Sequence, residues 1–197
     1  MTRDQVRELG FITPIDSVAS IRARGILSHN RAARLPHTSI ANAEVNDRRA
    51  NKVVPGGLRL HDYANLYLCP RNPMLSAKRS VHETICVLRV SAAVLDLPDV
   101  VVTDVNASRT YARFEPAPHG LRIVDHAILS MRYWTHPDDA EAYRRKGIKC
   151  AEVLVPHVVR PEHITGAFVS GTNARTQLAA VANGLPITVN ADLFFVG

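Results

Sequence analysis

The chain has 197 residues, 46% of them hydrophobic, with 24 Lys and Arg against 18 Asp and Glu for a formal net charge of +6. That length and composition suit one domain, 1–197, with a sizeable core. No apolar run reaches membrane-spanning length and no signal peptide opens the chain, so a soluble, cytoplasmic protein without membrane contact is the expectation.

Thr13-Pro14-Ile15-Asp16 reads as a helix start, with Thr as N-cap and Pro in the first turn. The helix runs through Val18 and Ile21 and stops at Gly25. Residues 28–57 are polar and end in Pro55-Gly56-Gly57, which predicts a long irregular loop; such loops in compact domains are often functional. Residues 58–69 suggest a strand, Pro70-Arg71-Asn72-Pro73 a turn, and Thr84 to Val90 a β-rich strand followed by a short helical turn capped by Ser91. Val100 to Thr103 predicts another strand. Ala107 to Phe114 and Gly120 to Met131 look helical. Pro137-Asp138-Asp139 opens a further helix, acidic at its start and basic at Arg144 to Lys146, as the macrodipole favours. The rest predicts strands at Ala151–Val155, 164–169, 187–189 and 193–196, with a helix from about Thr172 to Ala182. Strands and helices mix without a βαβ rhythm, so the fold class is α+β with a mostly antiparallel sheet.

Several chemistries lose weight. The chain has no G-x-x-x-x-G-K-[ST], G-x-G-x-x-G, H-E-x-x-H or G-x-S-x-G motif. Cys69, Cys86 and Cys150 are far apart and form no C-x-x-C pair, which argues against a zinc site and for reduced thiols. The nine His are scattered without metal-like spacing, so no metal is expected; His61, His82, His126 and His157 read as surface or structural residues. Arg outnumbers Lys heavily, and guanidinium forks suit phosphates and carboxylates. Nucleic acid or a polyphosphate is therefore a candidate partner.

One stretch stands out. Ala151-Glu152-Val153-Leu154-Val155 places a lone carboxylate inside an apolar pentad of strand type. A Glu in such a strand either faces solvent at the strand end or is buried and paired or working.

Four segments in order resemble one family: Arg48-Arg49-Ala50-Asn51-Lys52-Val53-Val54; Leu60-His61-Asp62-Tyr63 through Tyr67-Leu68 into Pro70-Arg71-Asn72-Pro73-Met74-Leu75; Thr103-Asp104-Val105-Asn106-Ala107 with Phe114; and Arg132-Tyr133-Trp134 leading through Lys146 to the Glu152 pentad. The set is similar to the DarT family of DNA ADP-ribosyltransferase toxins, across nearly the whole chain. The resemblance implies an ADP-ribosyltransferase-like fold, a mostly antiparallel split sheet around an NAD cleft with flanking helices. It implies transfer of ADP-ribose from NAD to a base of single-stranded DNA, and a macrodomain or similar antitoxin that removes the mark. RNA or protein acceptors are the alternatives within the enzyme class; a catalytically silent nucleic-acid-binding module is the alternative outside it.

By the same resemblance Glu152 is the catalytic glutamate and Arg49 the catalytic arginine, with Arg48 the alternative in register. A carboxylate stabilises the oxocarbenium-like centre formed as nicotinamide leaves, or takes the proton of the base. Thr13, Ile12, Arg49, Tyr67 and Met74 are expected around NAD, although Thr13 also reads as an N-cap and Tyr67 and Met74 as core. Asn106, Arg71, Arg109 and Lys146 are expected on the acceptor. Arg113, Arg144 and Arg145 are further candidates for phosphates, and Tyr133 and Trp134 for stacking on bases. Two local departures matter. Phe11 stands where many members carry the His of an H-x-T pattern. Cys150 occupies the position two before Glu152, where enzymes that modify protein side chains often carry Glu or Gln; a thiol does not orient an arginine acceptor.

Overall fold

The computed structural model describes residues 1–36, 40 and 43–196. Ten strands occur among them: β1 (Glu8–Pro14), β2 (Ile26–Leu27), β3 (Tyr63–Tyr67), β4 (Ile85–Ser91), β5 (Val101–Thr103), β6 (Phe114–Pro116), β7 (Glu152–Pro156), β8 (Val158–Val159), β9 (Ile164–Val169) and β10 (Ile187–Val189). The helices are α1 (Val18–Arg24), α2 (His29–Ala32), α3 (Ala43–Ala50), α4 (Pro73–Ala77), α5 (His126–Ser130), α6 (Asp139–Ile148) and α7 (Thr172–Val181). No helix among the described residues is long and apolar enough to cross a membrane.

Eight strands form one sheet in the order β10-β9-β4-β1-β3-β7-β5-β6, and β2 pairs with β8 apart from it. Every neighbour pair in the large sheet is antiparallel except β10 with β9. The expected mostly antiparallel α+β fold is therefore present. The sheet is split at β1 and β3, whose only register pair is Gly10 with Tyr67, while β1 and β4 pair along seven residues. Gly10 is needed at that junction, because a Cβ there would meet Pro70 Cβ at 2.7 Å.

Side-chain alternation sorts the two faces. Cys86, Leu88 and Val90 of β4, Leu66 of β3 and Val153 and Val155 of β7 join one core with Ala174 and Leu178 of α7. Ile85, Val87, Tyr67 and Cys150 belong to a second cluster with Ile12 and Phe194. Cys86 is fully buried, whereas Cys69 is half-buried.

Several expected elements differ. Thr13 lies inside β1, opposite Cys86, and its side chain caps nothing; the helix beyond it does stop before Gly25. The stretch 28–57 is not irregular throughout, since α2 and α3 form within it; the part of that expectation at 37–39 and 41–42 lies outside the described residues. The strand expected over 58–69 shortens to β3, preceded by a 3-10 turn. No helix forms at 107–114: the Asn106 side chain accepts from the Ser108 backbone, a local bond that competes with helix, and the chain then enters β6. The helix expected over 120–131 is cut by Asp125, which caps a separate α5 through the Ile128 N–H. In place of the strand expected over 193–196, Asp192–Phe194 make a 3-10 turn, because Asn190 Oδ1 captures the Leu193 N–H and Phe195 turns left-handed.

Candidate active site

The site begins with the pleat of β7. Ala151, Val153 and Val155 point into the main core, so Glu152 and Leu154 point to the opposite face. Glu152 is fully buried, and β3 places Tyr67 directly across from it. From the other side β5 fixes its backbone: Thr103 Oγ1 accepts from the Glu152 N–H at 3.0 Å and donates to the Val105 carbonyl at 2.6 Å.

Among the described residues, the carboxylate has two side-chain partners. Arg49 Nη1, from the last turn of α3, donates to Oε1 at 3.2 Å and to Oε2 at 2.9 Å. Asn106 Nδ2 donates to Oε1 at 2.8 Å. The amide cannot swing away freely, because Asn106 Oδ1 accepts from the Ser108 N–H at 3.0 Å and hydroxyl at 2.6 Å. Arg48 pairs instead with Glu44. Between the two registers, it is Arg49 that the helix brings to Glu152.

A cavity of about 1210 Å³ opens over this group. Ile12, Thr13, Tyr67, Met74, Arg49, Glu152, Asn106, Arg109 and Lys146 all line it. Arg71 does not. It donates to the carbonyls of Arg132 and Asp192 and lies over the Phe195 ring, so it ties two loops together. Arg113 pairs with Asp104, and Arg144 and Arg145 pair with Glu141. Trp134 packs edge-on to Phe195, and Tyr133 accepts from Arg132 on the surface. The lining also includes His61, Asn65, Ser108, Tyr111 and Tyr143, which the sequence reading did not single out for the site. The Asn-x-Ser spacing at 106–108 was the one local signal for Ser108, since it suits an Asx turn.

Titration is shifted around the carboxylate. Burial, with Glu152 adding to it, pushes the Tyr67 phenol well above its usual range. Burial pushes the Cys150 thiol up to about 12, again with help from Glu152, so it stays protonated and carries no nucleophile. Burial and then Arg49 lower Lys52, whose ammonium donates to the Arg109 carbonyl. His61 is lowered by burial and by the stacked His29 ring, whose centroid is 4.1 Å away. Among the described residues, no group of three or more His, Cys, Asp or Glu is placed to hold a metal ion.

A split antiparallel sheet with a buried Glu–Arg pair on the floor of a deep cleft defines an ADP-ribosyltransferase-type architecture. The family described as DarT, ssDNA thymidine ADP-ribosyltransferase, matches residues 11–195, and the chain belongs to that family. It is 30% identical over 201 residues to a DNA ADP-ribosyl transferase–DNA ADP-ribosyl glycohydrolase fusion protein of Thermosipho africanus, covering 96% of this chain and 50% of the relative. It is 35% identical to a DNA ADP-ribosyl transferase of Thermus sp. over 157 residues, 73% of this chain and 72% of that one. The chain thus spans half the length of the fusion protein. Among solved structures, Thermus sp. 2.9 DarT in complex with ADP-ribosylated ssDNA is similar with a TM-score of 0.82 at 27% identity, covering 98% of this chain and 99% of that chain. The same protein in complex with NAD+ gives 0.78 at 26% identity, over 96% and 98%.

Proposed function

We propose that the chain, acting as one domain over its 197 residues, transfers ADP-ribose from NAD to a base of single-stranded DNA and releases nicotinamide. The single observation that carries this reading is the buried Glu152 carboxylate, bonded to Arg49 and Asn106 at the floor of the cavity. The description of the matched family and the NAD+ and DNA complexes of the similar structures support the same reading. The family's description favours thymidine as the acceptor.

The residues fit a dinucleotide. The cavity exceeds the roughly 300–1,000 Å³ of ordinary ligand sites. NAD brings two phosphates, and the Arg49 guanidinium on the lining suits them. Ile12, Tyr67 and Met74 supply apolar wall for its rings.

In this mechanism the bond from ribose to nicotinamide breaks and positive charge develops on the ribose. Glu152 stabilises that charge from a dry, preorganised position. The base nitrogen then bonds to the ribose carbon and loses its proton, which the Glu152 carboxylate accepts. Thymidine has one ring N–H, at N3, so that atom is the expected site. Asn106 holds the carboxylate in register through the step. A base must leave its stack to reach this floor, which favours single strands over duplex. An enzyme that removes ADP-ribose, of macrodomain type or similar, is the expected antitoxin partner; the fused glycohydrolase of the Thermosipho africanus relative supports this.

Mass spectrometry of a mixed-sequence single-stranded oligonucleotide incubated with protein and NAD tests the reading, with Glu152→Ala as control. A gain of one ADP-ribose that disappears in the control is expected. Labelled NAD offered in parallel to RNA and protein identifies another acceptor, and either of those as sole product overturns the assignment.

A further inference from the structure

Two exposed tyrosines stand at the mouth of the cavity and have no part in the chemistry above. Tyr111 is 52% exposed and Tyr143 is 59% exposed, and both line the cavity. Arg109 rests against both. Its guanidinium carbon lies 4.0 Å from the Tyr143 ring centroid and 5.6 Å from that of Tyr111, and its Nη1 donates to the Tyr111 hydroxyl at 2.6 Å. Gly147 makes room for this, because a Cβ there would meet Arg109 Nε at 3.1 Å. The Arg109 backbone is held in turn by the Lys52 ammonium. What sets these two rings apart from a singly exposed side chain is that they share one cation, which gathers them into a single aromatic patch on the lining.

Sheet order decides which ligand they face. β7, with Glu152, lies between β3 and β5. Ile12, Thr13 and Tyr67 come from β1 and β3, on one side. The segment Asn106–Tyr111 follows β5, on the other side, and its Asn106 N–H is held by the Gly147 carbonyl of α6, the helix that carries Tyr143. The two tyrosines therefore belong to the wall across Glu152 from the one that suits NAD. The ligand of that wall is the acceptor.

We infer that Tyr111 and Tyr143, braced by Arg109, form a stacking clamp for a base that flanks the acceptor nucleotide of single-stranded nucleic acid. This rests on the proposed transfer to single-stranded DNA. Stacking on a ring is tolerant of base identity, so the clamp supplies affinity and holds the strand while the neighbouring base enters. Lys146, on the same helix and the same lining, sits where a phosphate of that strand would pass.

The test is anisotropy of a fluorescein-labelled single-stranded oligonucleotide, alongside calorimetry with NAD, on the wild type and on Tyr143→Leu, Tyr111→Leu and Tyr143→Phe. Each Leu variant is expected to weaken oligonucleotide binding about tenfold, with NAD affinity and melting temperature unchanged, and Tyr143→Phe to bind like the wild type. The clamp is overturned if the Leu variants bind oligonucleotide normally, if they lose NAD affinity in proportion, or if the wild type binds no single strand. Binding is read without turnover. A wild type that binds the strand and loses it on Tyr143→Leu, yet transfers no ADP-ribose, overturns the proposed transfer and leaves the clamp standing.

Discussion

Arg49 Nη1 lies 2.9 Å from Glu152 Oε2 and 3.2 Å from Oε1, so a single guanidinium nitrogen spans both oxygens of a carboxylate that is fully buried. Removing one partner of a buried pair costs about 3–5 kcal/mol, because the other charge is left without compensation. Arg49→Ala is therefore expected to lower unfolding free energy by about 3 kcal/mol, the low end, since Asn106 still bonds the carboxylate. Adding Glu152→Gln to that variant should restore part of the loss. Urea melts of the two single variants and the double variant check this; equal stability of Arg49→Ala and wild type would sink it. Either single change is also expected to cut transfer on the order of a hundredfold or more.

Asn106 provides a sharper test of the same carboxylate. Asn106→Asp places a second carboxyl 2.8 Å from Glu152 Oε1, and two like charges at that range cannot both ionise easily. One of the pair acquires a raised pKa in the folded state. Its contribution is then present below its unfolded pKa and lost as pH rises through the folded value. Asn106→Asp should be less stable than Asn106→Ala at neutral pH and above, and the gap should narrow as pH falls and close only below about 4. Thermal melts across pH measure it; a gap independent of pH excludes the coupling.

How much of this was legible in the residues depends on whether the signal was local. Glu152 was, because a carboxylate inside Ala-Glu-Val-Leu-Val violates strand composition, and its burial follows from alternation. α6 carried its own signals, an Asp138 cap and acidic first turn at one end and Arg145 and Lys146 at the other. Arg49 was readable as a residue but not as a geometry. Its helix falls in a polar stretch without apolar periodicity, and tertiary pairing with Glu152, 103 residues away, orients it. β1 was obscured by Gly10 and Pro14, which discourage a strand reading although the sheet needs a glycine at residue 10. Arg71 shows the converse. Its place in a recognisable motif suggested substrate, yet it donates to two loop carbonyls, a partnership no spacing rule reveals.

Glu141 gives α6 a pH response. Arg144 and Arg145 both donate to it and hold its carboxyl down at about 2, against an ordinary 4.5. A depressed folded pKa means the stabilisation is complete above 4.5 and is lost as pH falls toward 2. The group is partly exposed and its two partners lie at the surface, so the effect is small. Glu141→Gln should melt below wild type at neutral pH and match it in strong acid. A difference that persists at low pH would assign the effect to something other than this carboxylate.

Lys149 is 1% exposed and, among the described residues, has no acidic partner. Its ammonium donates to the Leu129 carbonyl at 2.7 Å, the Met131 carbonyl at 2.8 Å and Cys69 Sγ at 3.1 Å. The two carbonyls lie at the C-terminal end of α5, where helix carbonyls lack partners of their own. Lys149 thus joins that helix end to the turn after β3, three residues before Glu152. Lys149→Met keeps the volume and leaves those acceptors bare, at about 1–3 kcal/mol for each one that stays unsatisfied. The expected result is a loss of about 2 kcal/mol in urea. Hydrogen exchange should speed up first over residues 126–134, while β4, paired on both sides within the sheet, stays protected. If exchange rises uniformly across the sheet instead, Lys149 supports the whole core and not this helix end.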